Sequence, residues 1–178
     1  RLLVRNGSEK KIMKPKKCEI FKGDIDNTDI VEEVISQADV VIYLIAVIRE
    51  FPRKGITWEK LQFKAARSCI DISKTHNVKK FILMSANGVK PHGTNYQKTK
   101  FMADEYLKNS GLNYTIFRPT SLFGDPRGNG RPEFNTQILN DMLSLPIPAP
   151  LFHNGLVPLN AGEFSFSPIH VKDVASIF

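Results

Sequence analysis

The sequence has only two cysteines, Cys18 and Cys69, among 178 residues. Two cysteines in a chain of this length exclude a disulfide-stapled fold and indicate reduced thiols packed in a core. We therefore expect a reducing, cytoplasmic compartment, with a targeting segment ahead of Arg1 left open. Long apolar runs are also missing: the longest, Val40–Ile48, is too short to cross a bilayer. It excludes a membrane span and suits a buried parallel strand.

Clustered metal ligands and nucleic-acid signatures are absent as well. The four histidines are scattered, with no carboxylate or cysteine pair at ligand spacing, so the sequence predicts no metal site. The net charge is +7, and its densest part is a lysine cluster formed by Lys10, Lys11, Lys14, Lys16 and Lys17. No aromatic residue lies among these lysines, which argues against nucleic-acid recognition. The cluster is either a solvated face or a docking site for an acidic protein partner or an anionic membrane.

Short apolar runs alternate with helical patterns along the chain. Predicted strands cover Arg1–Arg5, Cys18–Lys22, Val40–Ile45, Lys80–Ser85 and Tyr114–Phe117, and predicted helices cover Thr28–Ser36, Thr57–Thr75 and Asn95 to Gly111. This alternation predicts an α/β fold with a doubly wound parallel sheet. With 42% hydrophobic residues, 178 residues can bury one sizeable core.

The glycine-rich turn that opens a dinucleotide-binding fold is absent from the start of the chain. In that fold the strand order is 3-2-1-4-5-6, and strand one, its turn and its helix hold the pyrophosphate. We interpret Arg1–Arg5 as strand two, so strand one would lie between it and Val40–Ile45. We expect about 25 to 30 further residues ahead of Arg1, the size of a strand, turn and helix. At the other end, Val171–Phe178 is typical of a helix that continues.

Tyr96 and Lys100 lie four residues apart in a predicted helix and therefore share one face. An ammonium beside a phenol favours the ionised phenol, which lowers its pKa from about 10 toward the range useful for proton transfer. The same lysine is able to hydrogen-bond a ribose. Tyr-x-x-x-Lys by itself is a weak motif in a lysine-rich chain, so its meaning depends on the surrounding segments.

Seven ordered segments together resemble the short-chain dehydrogenase/reductase superfamily, in its extended and atypical NAD(P)-binding members. The similarity is strongest to the dehydrogenase-like accessory subunit of respiratory complex I and its bacterial relatives. The segments are Leu3–Arg5, Gly23–Asp24, Val40–Ala46, Phe81–Ser85, Tyr96 to Lys100, Phe117–Pro119 with Phe123–Gly124, and Pro168–Ala175. The resemblance implies a Rossmann-like fold in which Tyr96 transfers protons and Lys100 binds ribose.

The resemblance also implies cofactor contacts at the carboxyl ends of the strands. Arg5 stands where an acidic residue would bind a ribose hydroxyl and an arginine would accommodate a 2′-phosphate, so NADP(H) is favoured over NAD(H). The alternative for Arg5 is a solvated strand-end charge. Asp24, followed by Ile25, is either an adenine contact or a turn residue. The complete set of predicted cofactor contacts is Arg5, Asp24, Ile25, Ile45, Ala46, Val47, Ser85, Tyr96, Lys100 and Pro119.

A catalytic site of this type needs a hydrogen-bond donor for the substrate carbonyl beside Tyr96 and Lys100. Members of the superfamily usually use a serine or threonine, and two positions compete here. Ser85 ends its strand, whereas Asn87 stands where extended members place the hydroxyl. An asparagine amide donates a hydrogen bond but is not the usual choice. Ser85 is alternatively a contact to nicotinamide or ribose.

Two functions remain open at this point. One is an NAD(P)H-dependent oxidoreductase that moves hydride to or from a small carbonyl or alcohol substrate. The other is a cofactor-binding subunit without turnover that serves the assembly or structure of a larger protein complex. Residues 1–122 are predicted to form the dinucleotide-binding core and residues 123–178 the substrate-lobe loops and the start of a C-terminal part of the same compact domain, because open α/β sheets bind ligands beyond the carboxyl ends of their strands.

Overall fold

The computed structural model describes residues 1–125, 136, 140, 144 and 167–178. The chain forms two compact units, Arg1–Arg118 and Pro119–Phe178. The single domain with a division after residue 122 stays a prediction. Most of the predicted substrate-lobe loops, over 126–166, lie outside the described residues.

Parallel strands alternate with helices in the first unit. Strand β1 (Leu2–Val4) pairs with β2 (Ile20–Lys22), and β4 (Lys80–Met84) lies between β3 (Val40–Tyr43) and β5 (Tyr114–Phe117). All three pairings are parallel. The predicted α/β class with parallel strands is confirmed.

The helices of this unit connect the strands. Helix α1 (Thr28–Ile35) follows β2, and α3 (Asn95–Lys108) follows β4 and begins at the predicted residue. The predicted helix Thr57–Thr75 is instead a π-helix, Glu59–Lys64, continued by α2 (Ala65–Thr75). A π-helix bonds residues five apart and has wider turns than an α-helix, which a 3.6-residue pattern does not reveal.

Four of the five predicted strands, β1 to β4, are one or two residues shorter than expected, and local hydrogen bonds explain this in β2 and β3. Strand β2 begins at Ile20, because Cys18 ends a turn of 3-10 helix whose carbonyl at Pro15 accepts the Cys18 N–H at 3.1 Å. Strand β3 ends at Tyr43, and Val47 beyond it accepts side-chain hydrogen bonds from the π-helix region instead of a strand partner. Local hydrogen-bond partners therefore set both boundaries.

A cleft of about 580 Å³ lies between the edges of β1 and β3. Within the described ranges, β1 pairs only with β2 and β3 only with β4. One face of β3 and its continuation is open: Val40, Ile42 and Leu44 are 45%, 47% and 58% exposed. The cleft lies at the position that the predicted strand order assigns to strand one, and the further residues ahead of Arg1 stay a prediction.

The core of the first unit is packed against β4. Phe81, Ile70 and Leu107 are fully buried and come from β4, α2 and α3. Cys69 is also buried and Cys18 is half-buried, and both are free thiols. Because burial disfavours the thiolate, it raises the pKa of Cys69 to about 12. Cys69 is thus a packed, unreactive core thiol.

The second unit contains two short strands and a helix among its described residues. Strand β6 (Leu122–Phe123) pairs in parallel with β7 (Ile169–His170), which leads directly into α4 (Val171–Ile177). The His170 ring caps this helix, since Nδ1 accepts the Lys172 N–H at 3.1 Å. No helix in the described ranges combines the length and the apolar character that a membrane span requires.

Candidate functional site

Lys100 is a deeply buried cation on α3, with only 5% of its surface exposed. Its Nζ donates a hydrogen bond to the Met84 carbonyl at the end of β4, at 3.0 Å. Burial lowers the pKa of Lys100 to about 8, and the Asp104 carboxylate one helical turn farther on opposes this shift. The ammonium is thus fixed at the carboxyl end of a central strand and is easily deprotonated for a lysine.

Tyr96 lies one turn before Lys100 on the same helix face. The Lys100 Nζ is 5.9 Å from the centroid of the Tyr96 ring, and the Trp58 ring contacts that ring edge-on at 6.1 Å. The predicted lowering of the Tyr96 pKa is wrong for this structure, because burial raises the pKa instead. A phenol that holds its proton is suited to donate it rather than to accept one.

Ser85 follows β4 and is 5% exposed. Its N–H donates to the Phe117 carbonyl at 2.7 Å, while its Oγ is buried and has no partner among the described residues. A buried hydroxyl without a partner costs free energy, which makes Ser85 a candidate contact for a polar ligand group. Asn87, the competing candidate, is exposed on the turn after β4.

A small pocket brings three of the predicted residues, Ile45, Ser85 and Lys100, together. Residues that the sequence did not single out complete its lining: Tyr43, Gln62, Leu83, Met84, Ala103 and Asp104. Asp104 is fully buried, and its Oδ2 accepts hydrogen bonds from Arg118 Nε and Nη2 at 2.9 and 2.8 Å. The sequence feature that could have pointed to Asp104 is its position one helical turn after Lys100.

The loop after β3 carries the predicted contacts Ile45, Ala46 and Val47. The Val47 carbonyl accepts hydrogen bonds from Trp58 Nε1 at 3.0 Å and from Gln62 Nε2 at 3.1 Å. Ala46 is exposed, and its small side chain leaves room beside the loop. This loop is therefore anchored by side chains rather than by strand pairing.

The remaining predicted contacts stand at the ends of β1 and β2 and after β5. Arg5 and Asp24 are exposed, each at the start of a turn: their carbonyls accept the N–H groups of Ser8 at 2.9 Å and Asn27 at 3.0 Å. Ile25 is half-buried and lines the 580 Å³ cleft, as Ile45 does. Pro119, also half-buried, is the first residue of the second unit. Arg5 and Asp24 thus lie after adjacent strands, and their contacts with a cofactor stay predictions.

Metal binding has no structural support in the part of the chain that the structure describes. No group of three or more His, Cys, Asp or Glu side chains in the described ranges is arranged to hold a metal ion.

A protein-family model described as NAD(P)H-binding matches residues 1–141. Among curated proteins, the chain is 24% identical over 159 residues to the mitochondrial NADH-ubiquinone oxidoreductase 40 kDa subunit of Neurospora crassa, covering 89% of this chain and 37% of that protein. It is 25% identical over 126 residues to the chloroplastic divinyl chlorophyllide a 8-vinyl-reductase of Cucumis sativus, covering 67% of this chain and 30% of that one. The chain thus spans about a third of the length of these relatives.

A similar fold occurs in the crystal structure of the Bordetella bronchiseptica enzyme WbmH in complex with NAD+. The TM-score is 0.51 with 22% sequence identity, over 62% of this chain and 43% of that chain. At this identity the similarity establishes the fold alone, which is a Rossmann-like α/β fold.

Proposed function

This chain belongs to the NAD(P)H-binding family, and from that premise we propose that it binds a nicotinamide dinucleotide and transfers hydride to or from a small carbonyl or alcohol substrate. The observation that carries the proposal is the pair of buried polar side chains at the end of β4, Ser85 and Lys100. The Ser85 hydroxyl has no partner among the described residues, and the Lys100 ammonium is held by the Met84 carbonyl.

The described residues fit such a cofactor. Arg5 and Asp24 offer charged groups at adjacent strand ends for the adenosine half, and the half-buried Ile25 and Ile45 offer apolar surface. Lys100 supplies donors for ribose hydroxyls and Ser85 a buried hydroxyl for ribose or nicotinamide. In this proposal Ala46 and Val47 form a wall against the adenosine and the ribose.

The bound dinucleotide supplies a hydride donor or acceptor. Tyr96 donates a proton to the carbonyl oxygen of the substrate as it is reduced, since burial keeps the phenol protonated. Lys100 holds ribose hydroxyls and places positive charge beside the phenolate that proton donation leaves. Ser85 or Asn87 donates a hydrogen bond to the substrate oxygen, and the burial of Ser85 favours it for this role.

Arg5 favours NADP(H) over NAD(H) in this proposal. Its exposed guanidinium at the end of β1 is suited to a 2′-phosphate, because its planar donors match phosphate oxygens. Asp24 lies just after β2, the strand that pairs with β1. We place the protein in the cytoplasm, where its two free thiols would stay reduced.

The test is a titration of the full-length gene product with NADPH and NADH, followed by NADPH oxidation assays with small aldehydes and ketones. We expect Tyr96→Phe to lower turnover by about 100-fold or more and to change cofactor affinity only a few-fold. Tyr106→Phe is the matched control, because Tyr106 lies on the same helix and its hydroxyl donates to Asp71 instead. Turnover that survives in Tyr96→Phe would contradict the mechanism.

A second function is supported by the exposed Asn87 and by one relative. Asn87 replaces the usual serine or threonine, and the Neurospora crassa relative is a subunit of NADH-ubiquinone oxidoreductase. In this alternative the dinucleotide stabilises a subunit that works through a protein complex partner, with the lysine cluster as a docking surface. Cofactor binding without turnover, unchanged in Tyr96→Phe, would favour it. No binding of either dinucleotide would overturn both functions.

A further inference from the structure

Gln62 is a buried glutamine at the middle of the π-helix, with 2% of its surface exposed. A primary amide has two donors and two acceptor sites, and burying it without partners costs free energy. Both ends of this side chain have partners: Nε2 donates to the Val47 carbonyl at 3.1 Å, and Oε1 accepts from Thr99 Oγ1 at 2.9 Å. The two partners lie on different elements that both belong to the proposed cofactor site.

The orientation of the amide is fixed by chemistry. The Val47 carbonyl can only accept, so the amide nitrogen must face it and the amide oxygen must face Thr99. Thr99 is 8% exposed and also lies within hydrogen-bond distance of the carbonyls of Asn95 and Tyr96, which accept helix N–H groups. The one hydroxyl proton of Thr99 is therefore most stabilising when Thr99 donates it to Gln62 Oε1.

Trp58 makes a second link between the same elements. Its Nε1 donates to the Val47 carbonyl at 3.0 Å, its backbone N–H donates to Glu50 Oε1 at 2.8 Å, and its ring contacts Tyr96. The Val47 carbonyl oxygen therefore accepts two side-chain hydrogen bonds, one from Trp58 and one from Gln62. A π-helix is uncommon and often accompanies a functional site.

We propose that Gln62 is a positioning residue: it holds the Val47 loop and the Tyr96 helix at one spacing, so that a dinucleotide contacts both. This inference rests on the proposed function. Two hydrogen bonds, from Gln62 to the Val47 carbonyl and from Thr99 to Gln62, set the distance between the loop and the helix; we call them the relay. Trp58 supports the loop end of this relay through its own bond to Val47. Loss of either relay bond frees the loop relative to Tyr96 and Lys100, and cofactor affinity falls.

The experiment measures NADPH affinity by energy transfer from Trp58, the one tryptophan of the sequence, to the bound nicotinamide. Gln62→Met and Thr99→Val are each expected to weaken binding by roughly 3- to 10-fold, the range for one net hydrogen bond. The double variant should be no weaker than the worse single variant by more than about twofold, because both changes break one relay. Thr99→Ser keeps the hydroxyl and should restore wild-type affinity.

Stability is measured in parallel by urea unfolding, with Ser73→Ala as the control. Ser73 is also fully buried and donates to the Cys69 carbonyl, but it lies on α2 outside the relay. We expect Ser73→Ala to lower stability and leave NADPH affinity unchanged.

The outcomes separate the two proposals. Wild-type protein that binds neither NADPH nor NADH overturns the proposed function and the relay with it. If the wild type binds NADPH and both Gln62→Met and Thr99→Val bind it with the same affinity, the relay alone is overturned, even if both variants are less stable. Weaker binding in both variants with recovery in Thr99→Ser supports it.

Discussion

Lys100 combines burial with a charge, and this makes stability depend on pH. Its pKa in the folded chain is about 8, whereas an unfolded lysine has a pKa of about 10.4. Between these values the unfolded chain binds a proton that the folded chain does not. Stability contributed by this group therefore rises as the pH increases from about 8 to about 10.4. Below pH 8 both states are protonated and the group gives no slope.

The measurement is the urea midpoint of the wild type and of Lys100→Met between pH 7 and 10.5. The difference between the two proteins should change by roughly 2 to 3 kcal/mol across this range, with the wild type gaining. Lysines and tyrosines remote from Lys100 titrate in both proteins and cancel in the difference, and Lys100→Met in a Tyr96→Phe background removes the contribution of the neighbouring phenol. A difference that stays flat with pH would mean that Lys100 is solvated in the folded chain.

Asp104 is the buried partner of Arg118, and its replacement should be costly. Asp104→Asn keeps the shape but leaves the guanidinium without its counter-charge, and breaking a buried pair costs about 3 to 5 kcal/mol. We expect a value of about 3 kcal/mol, because the Arg118 side chain is 40% exposed and water can replace part of the interaction. Urea unfolding measures the loss.

Asp71→Asn is the matched control for the Asp104 prediction. Asp71 also accepts from a neighbouring side chain, Tyr106, but its own side chain is 51% exposed. Its replacement should cost less than about 1 kcal/mol. Equal losses in the two variants would contradict the view that burial makes the Asp104 pair important.

Arg5 tests the cofactor preference at a single exposed side chain. Arg5→Ala should weaken NADPH binding by about 10-fold or more and leave NADH binding nearly unchanged, since a charge-assisted hydrogen bond to phosphate is lost. Lys16→Ala, from the lysine cluster, removes the same charge elsewhere and should leave both affinities unchanged. Equal loss for both dinucleotides would show that Arg5 does not recognise the 2′-phosphate.

At the scale of elements, α3 begins with a capping box that fixes the helix of Tyr96 and Lys100. Thr94 Oγ1 accepts the Gln97 N–H at 3.3 Å, and Gln97 Oε1 accepts the Thr94 N–H at 2.9 Å. Thr94→Ala removes one of these bonds and should lower the free energy of unfolding by about 1 kcal/mol. Thr94→Ser keeps the cap and should cost a few tenths at most. If Ala and Ser proved equal, the first turn of α3 would not depend on this cap.

The β-strands show how one sequence pattern can have two environments. Phe81 in β4 is fully buried between neighbouring strands and helices, whereas the alternate residues Val40 and Ile42 of β3 are almost half exposed. Both strands are continuous apolar runs of the kind expected for parallel sheets. The difference arises because Val40 and Ile42 lie on a face of β3 that no described element covers, whereas Phe81 packs in the core.

At the scale of the whole molecule, a ligand that binds only the folded chain must stabilise it. NADPH at 100 times its dissociation constant should raise the free energy of unfolding by about 2.7 kcal/mol. NADH at the same concentration should raise it less if Arg5 selects the phosphate. The urea midpoint with and without each dinucleotide measures this, with nicotinamide mononucleotide as the control that lacks the adenosine half. No shift at millimolar NADPH would contradict dinucleotide binding.

Sequence patterns alone were enough to predict the parallel α/β class, the family and the strand ends after which Arg5, Asp24 and Ser85 lie. These follow from local patterns, because apolar runs, caps and turn residues act over a few positions. The Tyr96 and Lys100 spacing likewise required only helical geometry. The sequence could not show whether burial or the neighbouring charge has the larger effect on the pKa of Tyr96. Burial has the larger effect, so the predicted sign of the shift was wrong.

Only the tertiary structure decided which side chains meet. Gln62 and Thr99 are 37 positions apart and joined by one hydrogen bond, and Asp104 reaches Arg118 from another element. Such pairs leave no periodic signal, since each depends on how a helix packs on the sheet. The burial of Lys100 has the same origin. A lysine in a helix is normally solvent-exposed, but here the packing of α3 against β4 buries it.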